Sequence, residues 1–146
     1  MLTVIINGKT CEARADDTVL TVASRHGVWI PSLCYHPALE PYASCRICMV
    51  EVDRGGGWQV VTACNCLVEE GLAVRVDSER AVRARQGVME LLLARCPESP
   101  ELRALAARMG VRATEYPTVT TAGVRAAAAY GAALAREELL PIPQTR

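Results

Sequence analysis

Seven cysteines occur among 146 residues, and four of them are spaced for shared chemistry. Cys34, Cys45, Cys48 and Cys64 follow the pattern C-x10-C-x2-C-x15-C. Cysteines two residues apart can grip one metal, because the short turn between them points both sulfurs to the same side. Four thiolates suit tetrahedral zinc or an iron–sulfur cluster. An odd number of cysteines fits poorly with a fully paired disulfide framework.

Two features separate these chemistries. A zinc ribbon usually brings two Cys-x-x-Cys knuckles, whereas only Cys45 and Cys48 form one here. Three closely placed cysteines with a distant fourth match [2Fe–2S] spacing, in which a loop wraps most of the cluster and a strand end supplies the last thiolate. Ala43 and Ser44, just before Cys45, are small enough for backbone N–H groups to approach the sulfurs. His36 is a candidate ligand of a mixed site, but it precedes Pro37 in a loop where an exposed histidine is equally expected. Spacing alone leaves a zinc site and unligated or disulfide-bonded cysteines open.

The elements that must hold these thiols follow from periodicity and punctuation. "LTVIING" and "KTCEA" flank Asn7-Gly8, which predicts a hairpin with a type I′ turn. "DDTVLTVASRHG" reads as a helix over 18–26, capped by Asp17 or Thr18, with Val19, Val22 and Ala23 at helical spacing and Gly27 closing it. "ICMVEV" predicts a strand with Met49 or Val50 inward, the run Arg54–Gly57 a turn, and "WQVVTAC" the returning strand. In "GLAVRV", Leu72, Val74 and Val76 share one face.

From Ser78 the pattern turns helical. A long helix capped by Asp77 or Ser78 is expected to bury Val82, Met89 and Leu92 or Leu93, with Arg80 and Arg83 outward. A second helix is punctuated by Ser99, Pro100 and Gly110. A third, Ala-rich one ("TAGVRAAAAYGAALAREELL") precedes a Pro-containing tail. The expected division is 1–77, strands with one helix, and 78–146, a helical extension and docking tail.

Composition narrows the class. Half the residues are apolar (51%), enough for a packed core and against disorder. A net charge of zero argues against nucleic acid as the main partner. Charge is nonetheless uneven: three arginines face six acids between Cys34 and Asp77, and seven arginines face four glutamates between Ser78 and Arg112. Such asymmetry can steer docking to a charged partner, or simply reflect two solvated faces. No run approaches 18 apolar residues and no secretory signal is visible, so the expected compartment is the reducing cytoplasm. There is no glycine-rich nucleotide fingerprint and no acid, base or nucleophile constellation, and any substrate chemistry is expected to lie elsewhere.

The stretch "VIINGKTCEARADDTVLTVASRHGVWIPSLCYHPALEPYASCRICMVEV" resembles the N-terminal [2Fe–2S] domain of the large iron–sulfur subunit of respiratory complex I. The same module occurs in NAD-linked hydrogenases, iron-only hydrogenases and NAD-dependent formate dehydrogenases. Pro31, Leu33, Cys34, Tyr35, His36 and Pro37 carry the first part of the motif, Cys45, Arg46, Cys48 and Val50-Glu51-Val52 its centre, and Ala63-Cys64 and Gly71 its end. The resemblance covers about residues 3–95. It implies an α+β, ferredoxin-like β-grasp fold with a helix across the sheet, and one [2Fe–2S] cluster ligated by Cys34, Cys45, Cys48 and Cys64.

It also implies a one-electron relay, not itself an enzyme, within a hetero-oligomeric redox complex. The partners would be a flavoprotein that handles NAD(H) and a hydrogenase, a molybdenum or tungsten enzyme, or a quinone-linked module. A free-standing ferredoxin and a zinc-binding interaction module are the alternatives. Three departures stand out. Ala43 replaces a usual glycine, Cys66 stands where a threonine is common, and Cys96-Pro97 replaces a histidine–proline pair after which relatives carry a [4Fe–4S] segment. Cys11 and Cys96 are expected to be non-ligating thiols, Cys11 as core filling and Cys96 buried or partly exposed.

Overall fold

The computed structural model describes residues 1–118. Strands β1 (Leu2–Ile6) and β2 (Lys9–Ala13) form the hairpin, and helix α1 covers Val19–Arg25. Strands β3 (Met49–Asp53), β4 (Gln59–Thr62) and β5 (Ala73–Arg75) follow, then helices α2 (Glu79–Arg95) and α3 (Pro100–Arg108). The strands make one mixed sheet in the order β2-β1-β5-β3-β4. Only β1 and β5 run parallel, with Ile5 opposite Ala73 and Ile6 opposite Val74.

Local chemistry explains the joints. Asn7 and Gly8 both take positive φ (49° and 78°), as a type I′ turn requires. The Asn7 side chain also accepts from the Val76 N–H at 2.8 Å, tying the hairpin to the end of β5. Thr18, rather than Asp17, caps α1, and with Thr21 it forms a reciprocal capping box. Asp17 instead receives both terminal nitrogens of Arg25, at 2.7 and 2.8 Å. Ser78 and Ser99 cap α2 and α3, and Pro100 opens α3 as expected. Gly27 and Gly110 take the left-handed conformation after α1 and α3.

Two apolar clusters result. The first joins Val4 and Ile6 of β1, Val50 and Val52 of β3, Val74 of β5 and the α1 face Val19, Leu20, Val22 and Ala23. The second joins Ile47 to Met89 and Leu93 of α2, Leu102 and Ala106 of α3, and Val111. Strand β3 is therefore covered on both sides, and Glu51 is as buried as the valines beside it. Its carboxylate meets Arg80 of α2 at 2.7 Å.

The buried stripe of α2 is Ala81, Arg85, Met89 and Leu93, with Ala94. It is offset by one residue at its start from the expected one: Val82 is only half-buried, and Arg85 lies inside. Four-residue spacing makes this stripe one inclined ridge along the helix, and its charged member hid it in the sequence. The Ala-rich third helix and the tail fall outside the described residues.

Candidate functional site

The cysteine loop leaves α1 through Val28, Trp29, Ile30 and Pro31. The ring of half-exposed Trp29 lies under the Arg108 guanidinium of α3 at 4.0 Å, so α3 braces this limb of the loop. His36 turns the chain locally: its carbonyl accepts from the Leu39 N–H at 3.1 Å. Its Nδ1 accepts from the Ala38 N–H at 3.2 Å, so the side chain serves the turn and faces solvent. Leu39 and Tyr42, at 67% and 70% exposure, cover the outside of the loop.

Around Cys45 the backbone is unusual. Ala43 and Arg46 both have positive φ, 53° and 60°, although neither is glycine. Left-handed residues alternating with right-handed or extended ones turn successive N–H groups into a concavity that favours anions. Here the N–H groups of Ser44 and Cys45 face the Cys34 sulfur, and that of Ile47 faces the Cys45 sulfur. Burial acts to raise the Cys34 thiol, but these N–H groups and the neighbouring Cys45 thiol together outweigh it and leave it below its ordinary value. For Cys45 burial dominates and pushes the thiol up. Ile47 anchors this turn, because it is inserted between α2 and α3 and Cys45 packs against the same cluster.

Cys48 and Cys64 lie in turns at one end of the sheet. Cys48 immediately precedes β3, and its carbonyl accepts from the Ala63 N–H at 3.0 Å, which carries the β3–β4 pairing toward the second thiol. Helix α1 fixes this segment from the other side. Its first-turn N–H groups lack partners within the helix, and Val19 and Leu20 donate theirs to the Cys66 and Ala63 carbonyls at 2.9 and 3.0 Å. Cys64 is pushed up to about 12, by burial first and then by the nearness of the Cys48, Cys34 and Cys45 thiols.

The structure thus brings the four sequence-predicted cysteines into one neighbourhood. Among the described residues, no three Cys, His, Asp or Glu side chains gather tightly around a single point, as one ion would need. The thiols fall instead into two neighbouring pairs, Cys34 with Cys45 and Cys48 with Cys64. The first pair is half-exposed and the second is buried, at 2% and 1% exposure.

The remaining cysteines are elsewhere or otherwise engaged. Cys11 is buried in the first core and donates weakly to the Lys9 carbonyl. Cys66 accepts from Arg54 at 3.3 Å, and Arg54 also holds the Leu67 carbonyl and Glu69. Cys96 caps the end of α2 and is exposed, further into solvent than the sequence suggests.

Residues 1–79, more than half of the chain, match the family described as 2Fe-2S iron-sulfur cluster binding domain. The chain belongs to that family. Its cofactor is a [2Fe–2S] cluster.

Curated relatives agree. The NADPH-Fe(3+) oxidoreductase subunit alpha of Geobacter sulfurreducens is 37% identical over 97 residues, covering 66% of this chain and 11% of the relative. The NADH-ubiquinone oxidoreductase 78 kDa subunit, mitochondrial, of Candida albicans is 36% identical, covering 64% and 13%. The NADP-reducing hydrogenase subunit HndD of Solidesulfovibrio fructosivorans is 36% identical over 130 residues, covering 80% and 22%. The chain therefore spans less than a quarter of the length of each of these relatives. Among solved structures, the NAD+-reducing [NiFe]-hydrogenase in the H2-reduced state aligns with a TM-score of 0.70 at 30% identity, over 80% of this chain and 52% of that one.

Sequence reasoning missed several supports of the site. Arg54 and the α1 N–H groups act across long sequence separations, and no local pattern announces them. A helical wheel drawn from Met89 and Leu93 backwards would have reached Arg85.

Proposed function

We propose that this chain relays single electrons through one [2Fe–2S] cluster held by Cys34, Cys45, Cys48 and Cys64. The observation that carries this reading is the convergence of two thiol pairs beneath a cradle of N–H groups from Ser44, Cys45 and Ile47. The bound cluster would supply reversible one-electron chemistry. The protein's part is to present four thiolates, offer hydrogen bonds to sulfur and keep water from the inner side; such groups tune the potential of iron–sulfur centres over a wide range. Val50, Ala63 and the α1 face wall off the inner pair. The outer pair lies under the loop that carries exposed Leu33, Leu39 and Tyr42, where a redox partner would approach.

In this reading the cysteine-bearing part folds as a β-grasp domain. Its five-stranded sheet with a parallel pair beside the hairpin supports that description. The chain serves as a small subunit of a hetero-oligomeric, NAD(P)-linked redox complex, together with a flavoprotein that handles the nicotinamide. A hydrogenase, a molybdenum or tungsten enzyme, or a quinone-linked module completes the complex. The names of the relatives support a subunit role, and the helices from residue 78 onward offer a surface for assembly. No helix among the described residues is long and apolar enough to cross a membrane. We place the complex in the cytoplasm.

Anaerobic purification tests the cluster. A brown protein with equal iron and acid-labile sulfide and a paramagnetic reduced state is expected, and a colourless protein with one zinc would overturn it. Serine at position 34, 45, 48 or 64 should each abolish or alter the signal, while Cys11→Ser, Cys66→Ser and Cys96→Ser should keep it. Gel filtration of native extract tests the subunit role: migration as a small monomer would instead indicate a free-standing ferredoxin.

A further inference from the structure

Among the described residues three charged side chains are buried: Asp17, Glu51 and Arg85. Two have close counter-ions. Asp17 is clasped by Arg25 at 2.7 Å, and Glu51 meets Arg80 at 2.7 Å. Arg85 is different. Its Nη1 reaches the Met49 carbonyl at 3.4 Å and its Nη2 reaches Asp77 Oδ1 at 3.4 Å. Both contacts lie at the outer limit of hydrogen bonding. The Asp77 side chain is 69% exposed, so solvent weakens its compensation. A guanidinium withdrawn from water is unfavourable unless an anion answers it at close range.

Its other neighbours belong to the two limbs of the cysteine loop. Met49 directly follows Cys48, and its carbonyl is what Arg85 holds. Trp29 and Pro31, on the limb leading to Cys34, line a cavity of about 200 Å³ with Arg85, Asp77 and Arg108. Arg85 thus stands between the two limbs of the cysteine loop. Other cations nearby are answered or screened: Arg80 is paired with Glu51, while Arg108 and Arg46 are exposed.

We infer that Arg85 is the buried countercharge of the cluster, holding the Cys48–Met49 limb in place and raising the reduction potential. This rests on the cluster reading above. Four thiolates make the cluster an anion, and accepting one electron from a donor adds one more negative charge without forming or breaking a bond. A fixed cation in a poorly solvated site attracts the reduced form more strongly than the oxidised one. Arg85 does not touch the reacting atoms, and it acts through its field and through the Met49 carbonyl.

A potentiometric titration followed by paramagnetic resonance tests the inference on the full chain, with Arg85→Met, Arg85→Lys and Arg108→Gln beside the parent. Arg85→Met should lower the potential, Arg85→Lys should retain most of it, and exposed Arg108→Gln should move it less than Arg85→Met does. An unshifted potential in Arg85→Met, or an equal fall in Arg85→Lys, overturns the inference. If neither Arg85 variant assembles a cluster, Arg85 is a folding residue and the inference fails. A parent chain without the [2Fe–2S] signal would instead sink the cluster reading itself.

Discussion

Replacing Ile47 with alanine tests whether the cysteine loop and the two helices are one structure. Ile47 lies between Arg46 and Cys48, is fully buried, and is the loop's contribution to a core otherwise built from α2, α3 and Val111. Truncating a buried isoleucine or methionine to alanine costs about 2–5 kcal/mol, the transfer of the lost methylenes plus the cavity left behind. Ile47→Val should cost only about 0.5–1.5 kcal/mol. Met89→Ala, on the α2 side of the same cluster, provides the partner for a double-mutant cycle. Both residues are at 0% exposure, so neither cavity can be relieved by water or by an outward turn of the side chain. If they share that core, the cycle should return a coupling of about 0.5–3 kcal/mol. Urea denaturation followed by circular dichroism measures all four species. Ile47→Ala should also disturb the reduced-cluster spectrum, because the Ile47 N–H faces the Cys45 sulfur, whereas Met89→Ala should disturb it less. A cost below about 1 kcal/mol for Ile47→Ala, or strictly additive mutants, would refute the single-structure argument. It would favour independent parts divided near residue 77.

Other residues give further tests. Asp17 is held at about 2 instead of 3.8, chiefly by the hydrogen bond from Arg25. A depressed carboxyl stabilises the fold above pH 3.8, and that stabilisation is lost as pH falls through about 2. The shift corresponds to about 2 kcal/mol at most, and to roughly 1 after allowing for solvent around half-exposed Arg25; the stability gap between parent and Asp17→Asn should therefore narrow from pH 5 to pH 2 in urea titrations. Thr18→Ala removes the α1 cap and should cost about 1 kcal/mol, read as a lower denaturation midpoint with an unchanged slope. At Ala43, left-handed strain of about 1–2 kcal/mol opposes the buried methyl, worth about 0.8 kcal/mol, and the lower chain entropy of alanine, worth about 0.5–1 kcal/mol. Ala43→Gly should consequently change stability by less than about 1 kcal/mol with the cluster retained, whereas β-branched Ala43→Val should be strongly destabilising by the same denaturation assay.

Much of this fold was legible because its punctuation is local. Asn7-Gly8 names its own turn, Ser99-Pro100 and Gly110 bracket α3, and alternation in Leu72, Val74 and Val76 marks the inner face around β5. The four cysteines were legible through spacing and flanking residues. What was hidden depends on partners far along the chain. Thr18 won the cap over Asp17 because Arg25 and the Arg14 N–H claim the Asp17 carboxylate. Glu51 and Arg85 are buried only because α2 closes over β3. The left-handed backbone at Ala43 and Arg46 is invisible in residue type, since neither is the glycine that such geometry ordinarily favours.

The unequal burial of the two thiol pairs also decides where the molecule is vulnerable. Oxidation of sulfur follows thiolate character and exposure. Cys48 and Cys64 are enclosed by the sheet and α1, while Cys34 and Cys45 open toward solvent. Peroxide damage should begin on the outer pair, and a face-covering partner would shield that side first.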